Sequence, residues 1–274
     1  MKRAASVIFL KTLSRGKISL LAFASGMFLF EFITAIAYPA LGGSTNVRQV
    51  FETLGPDMQR LLKLAPNLQV GFGPANYLAF GYFHPVFLGL GSAFAVSRAS
   101  DAVAGDIERG TIVFLLSRPI NRYIILLSKA AELALGLLVV VGGAVLGTCL
   151  GVLITPLDHP LAIWPYAVIG LNAYCLFMAL AGIALILSAL SSSSAKVAGW
   201  GTAFALLAFV ADFLSVLPVL NVIGNISPFR YYDPQGIVAN SGNPPWLSLA
   251  VLIVVGVLAT AVAIVFFEHR DIAA

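Results

Sequence analysis

Apolar residues run in six long blocks along this chain, and polar residues collect between them. The blocks are Ile18 to Tyr38, Asn76 to Val96, Tyr123 to Ile154, Ile163 to Leu190, Val197 to Leu217 and Trp246 to Phe267, each with very few charges. At ~1.5 Å of rise per residue, helices of this length match a hydrocarbon core of roughly 30 Å. The pattern predicts an all-α polytopic membrane protein with six transmembrane helices in a single domain over residues 1–274. His84-Pro85 should kink the second crossing, because proline removes a backbone donor and its ring disturbs the preceding turn. The third block is longer than a bilayer needs, so it tilts or projects. Along it, Gly136, Gly143, Gly147 and Gly151 share one face, which predicts a closely approaching neighbour helix.

The segments between the blocks differ in kind. Lys2, Arg3, Lys11, Arg15 and Lys17 surround a short apolar patch, Val7 to Leu10, and predict a basic amino-terminal interfacial helix. A cleavable signal peptide is the competing reading, since Ala35-Ile36-Ala37 has the small-x-small form. The run before it is too long for that and contains Glu31. Val47 to Ala65 has amphipathic helical spacing, interrupted at Gly55-Pro56, and should lie on the outer surface. A second outer segment, Pro218 to Pro245, is rich in Pro, Gly and Asn and carries Phe229, Tyr231 and Tyr232. The densest charge lies in one internal island, Ser97 to Lys129.

Charge placement sets the orientation. The amino-terminal five, together with Arg98, Arg109, Arg118, Arg122, Lys129, Lys196 and Arg270, would share one side of the membrane. Arg48, Arg60, Lys63 and Arg230 would share the other. The positive-inside rule puts the crowded side, with both termini and the island, in the cytoplasm of a plasma-membrane protein.

Composition agrees with the bilayer reading. Hydrophobic residues are 59% of the chain, charged residues 10%, and the mean hydropathy is +0.96. A soluble domain so composed would expose large apolar patches. The net charge of +4 reflects topology rather than nucleic-acid binding. Cys149 and Cys175 stand singly in apolar runs, so neither a metal site nor a redox pair is indicated. No G-x-x-x-x-G-K-[ST] cradle is present, so the chain should not hydrolyse ATP by itself, and no H-E-x-x-H occurs. His84 is the sole histidine within a crossing, and it leaves an intramembrane serine protease or a bis-histidine haem without its residues. No catalytic, cofactor or metal residue is assigned.

Ionisable groups at bilayer depth are costly and tend to be functional. Glu31 and Asp212 both fall in the outer half of their crossings, roughly 20 Å from the cytoplasmic side by rise per residue. Facing a common cavity with Asn172, they would form a candidate translocation path. Equally, one or both could sit protonated in a helix contact. Glu132, nearer the cytoplasm, would pair with Arg98 or Lys129.

Within the island, Gly105-Asp106-Ile107-Glu108-Arg109-Gly110-Thr111 is followed by Leu115-Leu116-Ser117-Arg118-Pro119-Ile120-Asn121-Arg122 and Lys129. This resembles the E-x-G-T…L-L-S-x-P-[IL]-x-R…K stretch of type-two ATP-binding-cassette export permeases, the family that includes membrane subunits for nitrous-oxide-reductase maturation and sodium export. Ser227-Pro228-Phe229-Arg230-Tyr231-Tyr232-Asp233 is similar to that family's S-P-[FY]-x-Y-x-D segment, and Phe266 to Ile272 to its F-x-x-R-D-[IL] ending.

The resemblance implies a permease subunit of an ATP-driven exporter, with a coupling helix between the second and third crossings. That helix would dock in a separate ATPase, two copies of which bind ATP and Mg. A second permease copy would complete a dimer around the path. Carried onto this chain, the coupling residues are Asp106, Glu108, Arg109, Gly110, Thr111, Arg118 and Pro119. Gly110 would permit a sharp turn, Thr111 would cap a short helix over Ile112 to Ser117, and Asn121 would cap the third crossing. The alternative is a secondary transporter or channel that uses Glu31 and Asp212 for proton or cation coupling.

Overall fold

Apolar runs that must satisfy every backbone amide without water have the helical ladder as their simplest solution. The computed structural model describes residues 2–40, 49, 53, 58–59, 73–117, 120–157, 160–215 and 224–271. Its main helices are α1 (Lys2–Ala40), α2 (Pro74–Phe83), α3 (Pro85–Ala102), α4 (Ala104–Glu108), α5 (Ile112–Leu116), α6 (Arg122–Ile154), α7 (Trp164–Leu190), α8 (Ser194–Leu214), α9 (Pro234–Ala239) and α10 (Trp246–His269). A 3-10 turn, Pro228–Tyr231, precedes α9. Among the described residues six segments are long and apolar enough to cross a membrane: Ala5–Ala40, Pro74–Ala102 (α2 with α3), and the four helices α6, α7, α8 and α10.

The break between α2 and α3 falls at His84, whose backbone is extended (φ −64°, ψ 139°). Pro85 has no amide to donate, and His84 Nδ1 accepts from the Val86 amide at 3.2 Å, so the new helix starts capped. The second crossing then continues past Val96 to Ala102, drawing the first turn and a half of the island into helix.

The amino terminus differs from the expectation. The basic stretch does not form a helix of its own; it runs unbroken into the first crossing as α1. A single Gly16 is the weakest helix former between Arg15 and Ile18, and one glycine costs only about 1 kcal/mol, too little to end a ladder supported by packing on both sides. Pro39 lies inside the last turn of α1. The expected amphipathic segment over Val47 to Ala65 falls almost wholly outside the described residues, as do Arg118 and Pro119.

Close packing follows the glycine face of the third crossing. A Cβ at Gly143 would lie 2.7 Å from the Ala24 carbonyl, and one at Gly147 would lie 2.3 Å from the Phe28 carbonyl. The backbones of α1 and α6 thus touch where side chains would hold them apart. α7 is the most enclosed crossing, packed on α10, α3, α6 and α8. α1 packs on α6, α3 and α2, and α8 on α3 and α7, so α3 is the helix that the first and fifth crossings have in common.

Candidate functional site

The island becomes a folded knob at one end of the bundle, and a buried carboxylate organises it. Asp106 lies on α4 with its side chain 5% exposed, and Lys129 of α6 donates to its Oδ2. Its Oδ1 accepts from Arg15 of α1 at 3.2 Å, from Arg109 at 3.3 Å and from the Thr111 hydroxyl at 2.9 Å. Arg109 continues to Asp101 at 2.9 Å. Burial pushes the Asp106 carboxyl up, but Lys129, Thr111 and Arg109 outweigh it and hold the group below the usual carboxylate range. One level deeper, Arg98 and Glu132 form a buried pair at 2.7 Å, one of the two pairings expected for Glu132. The Arg98 guanidinium also lies against Gly16, where a Cβ would come within 2.6 Å, and donates to the Thr12 carbonyl at 3.3 Å.

The knob is tied to the bundle at its other flank too. Ser188 of α7 accepts from the amides of Val103 and Ala104, both at 3.1 Å, and donates to the Ser100 carbonyl at 3.2 Å. A side chain from another crossing therefore satisfies the free amides where α3 ends and α4 begins. Glu108 accepts from the Ser194 amide at 2.9 Å and from its hydroxyl, at the start of α8. Those two bonds hold the Glu108 carboxyl below its ordinary range. At the same end, Arg122 donates to the carbonyls of Phe267, Glu268 and Arg270, closing the end of α10. Arg270 in turn donates to the carbonyls of Ala189 and Ser191, both at 2.8 Å, closing α7.

The expected coupling residues therefore divide. Glu108, Arg109 and Gly110 form the exposed tip, with Gly110 at φ +67°, a left-handed turn that a Cβ would disfavour. Phe114, on the adjoining α5, is 74% exposed. Asp106 is interior, and Thr111 does not cap α5: its hydroxyl is already committed to Asp106. Asn121 stands at the start of α6, but its side chain makes no capping bond.

Two of the candidate path residues, Asn172 and Asp212, gather around a different feature, the segment Ser227 to Asp233 at the other end of the bundle. Asn172 of α7 is fully buried; it donates to the Tyr231 carbonyl at 3.1 Å and accepts from the Asp233 amide at 3.4 Å. Asp212 of α8 is buried beside Ser215, which donates to its carbonyl at 2.6 Å and accepts from Arg230 at 3.3 Å. Ser227 fixes the segment to α8 through the Ala208 carbonyl at 2.7 Å. Glu31 stands apart from these two. It lies against Gly81 of α2, where a Cβ would meet its Oε2 at 2.9 Å. It is fully buried, and neither carboxyl oxygen has a hydrogen-bond partner among the described residues. The segment still reaches its neighbourhood, because Tyr232 donates to the carbonyl of Tyr82, the residue after Gly81, at 3.0 Å.

Ser188 and Ser194 are not singled out by the sequence, and Arg122, Lys129 and Arg270 enter there only as motif and topology positions, without the bonds that the structure gives them. The available signal was a lysine and arginines at the ends of apolar blocks, where a free carbonyl or a buried carboxylate is the natural partner.

No curated protein sequence matches the chain. The family model described as ABC-2 family transporter protein matches residues 69–272, a span that takes in the whole island, the segment over Ser227 to Asp233 and five of the six crossings. A membrane permease knit together in this way, matched over most of its length, belongs to the ABC-2 transporter family.

Proposed function

We propose that this chain is the transmembrane permease subunit of an ATP-driven exporter, coupling hydrolysis by a separate ATPase to movement of a cargo. Two ATPase copies holding ATP and Mg would serve two permease copies, with the knob and both termini in the cytoplasm and the crossings in the plasma membrane. The observation that carries this reading is how the exposed tip is fastened. Glu108, Arg109 and Gly110 face outward, while Asp106, Ser188 and Ser194 tie the same few residues to α6, α7 and α8. A push on the tip would reach three crossings through short, oriented bonds, which suits transmission rather than chemistry.

In the proposed cycle, ATP closes the ATPase pair and draws the two knobs together, tilting the attached crossings. The outer segment Ser227 to Asp233, held between Asn172 and the Ser215 region, would act as the outer closure of the path. The test is co-purification with a co-expressed ATPase. Phe114→Asp and Gly110→Val should each reduce ATPase retention at least about tenfold, as expected for an apolar contact and a turn at the centre of an interface. Retention and coupled ATP hydrolysis equal to wild type in both variants would defeat the proposal.

Glu31 favours one other reading, since a buried carboxyl without a hydrogen-bond partner among the described residues suits a proton- or cation-coupled carrier. Transport that continues without any ATPase and is lost in Glu31→Gln would select it.

A further inference from the structure

Beneath the knob, between α1, the end of α3 and the start of α6, lies a cavity of about 490 Å³. Its wall carries five cations, Lys11, Arg15, Arg98, Arg109 and Lys129. Among the described residues three carboxylates, Asp101, Asp106 and Glu132, share that wall, leaving two positive charges in excess. The pairing shows where the excess falls. Glu132 is taken by Arg98, Asp101 by Arg109 and Asp106 by the buried Lys129. Arg15, half exposed, reaches only the already occupied Asp106 among the described residues, and Lys11 makes no ion pair among them. Lys11 and Arg15 are four residues apart on α1, side by side on one helical face, where like charges repel unless an anion lies between them.

The flank of the cavity is apolar. Val7 and Ile8 lie one turn before Lys11, and Phe114 and Leu115 face them from α5. Leu10, Ile18 and Leu21 are exposed along the same stretch of α1, an apolar surface suited to lipid. Lys11, without an ion pair among the described residues, and the half-exposed Arg15, which shares Asp106 with Lys129 and Arg109, therefore sit at the level where acyl chains give way to headgroups.

We propose that this cavity binds the phosphate of an anionic lipid, with Lys11 and Arg15 contacting the headgroup and the exposed Ile18 and Leu21, one to three turns deeper along α1, lying beside the first methylenes of its chains. Basic pockets between crossings on the cytoplasmic side are suited to such headgroups, and the volume is that of a small-ligand site. The inference depends on membrane insertion and not on the ATPase partnership.

The test uses the purified full chain in detergent, mixed with phosphatidylglycerol or phosphatidylcholine, and counts retained lipids by native mass spectrometry. Wild type should keep one phosphatidylglycerol with at least about fivefold preference over phosphatidylcholine, the effect of one cation near the surface. Lys11→Gln should lose about fivefold in retention and Lys11→Arg should keep it. Lys17→Gln, exposed on the same helix but outside the cavity, should match wild type. Lys11 holds no internal pair among the described residues, so its replacement leaves the folded knob in place. Equal retention of the two lipids, an unaffected Lys11→Gln, or an equal loss in Lys17→Gln would overturn the proposal. Displacement of the lipid by excess inorganic phosphate would assign the site to a soluble anion instead, and would overturn it as well.

Discussion

The two ends of the bundle fasten a loop to helices by opposite chemistry. At the island end, the fastening is ionic: Asp106 gathers Lys129, Arg15 and Arg109, and Arg98 holds Glu132. At the other end, Ser227 to Asp233 is held mostly by neutral groups, through Asn172, Ser227 and Tyr232, with Arg230 donating to the Ser215 hydroxyl and Gln235 and Asn76 bonding each other beside it. Charges can be gathered cheaply only where water and several counter-charges help, whereas deeper in an apolar bundle a hydroxyl or amide can be satisfied by one partner. Glu31 and Asp212 are the exceptions, buried carboxyls placed in the mostly neutral region.

The comparison can be broken most sharply at Asp106. Asp106→Asn would leave Lys129 buried against Arg15 and Arg109, and should cost about 3–5 kcal/mol in thermal unfolding of the detergent-solubilised chain. A cost below about 1 kcal/mol would mean that the ionic hub does not hold the knob. The same pair of proteins gives a pH test. Because the Asp106 carboxyl is held below the usual carboxylate range, its contribution is present in full above that range and is lost as pH falls through the lower folded-state value. The stability gap between wild type and Asp106→Asn should therefore stay constant from neutral pH down to about 5, and a gap closing in that interval would contradict the hub geometry.

At the neutral end, Asn172→Leu removes a donor and an acceptor at once, leaving the Tyr231 carbonyl and the Asp233 amide without it. A loss of about 2 kcal/mol is expected, with protease sensitivity rising around Tyr231. Ser188→Ala should cost about 1–2 kcal/mol, because the amides of Val103 and Ala104 lose their acceptor. Hydrogen exchange should rise at those two amides while the neutral end is unchanged. The smallest effect belongs to Glu31→Met, which removes an acid that no described residue bonds. Unfolding should change by less than about 1 kcal/mol. A larger loss would show that Glu31 is fastened as firmly as Asp106.

What could be read from the sequence was whatever follows from distance along one helix. The six apolar blocks, the His84-Pro85 break and the glycine face over Gly136 to Gly151 each depend on local periodicity, and each is present in the structure. The pairing of Glu132 with Arg98 was legible because two charges at the ends of neighbouring crossings had few other partners. The hub was not legible. Ser188 meets Val103 across 85 positions and Arg122 meets Arg270 across 148, and nothing in the intervening residues marks which crossings become neighbours. The misassigned cap at Thr111 has the same origin. A threonine before a short helix reads as a cap until Asp106, five residues earlier, folds back and takes its hydroxyl.

The unbroken first helix gives the molecule a rocker beam. Its fulcrum is the seam where the carbonyls of Ala24 and Phe28 rest on Gly143 and Gly147, too close to permit sliding but compatible with tilting. Lys11 lies thirteen residues from Ala24, roughly 20 Å along the beam, so a tilt of about 10° would swing it sideways by about 3 Å. The far end of α1 would swing the opposite way. One stiff rod could in this way convert a small displacement beside the knob into a counter-displacement across the bilayer.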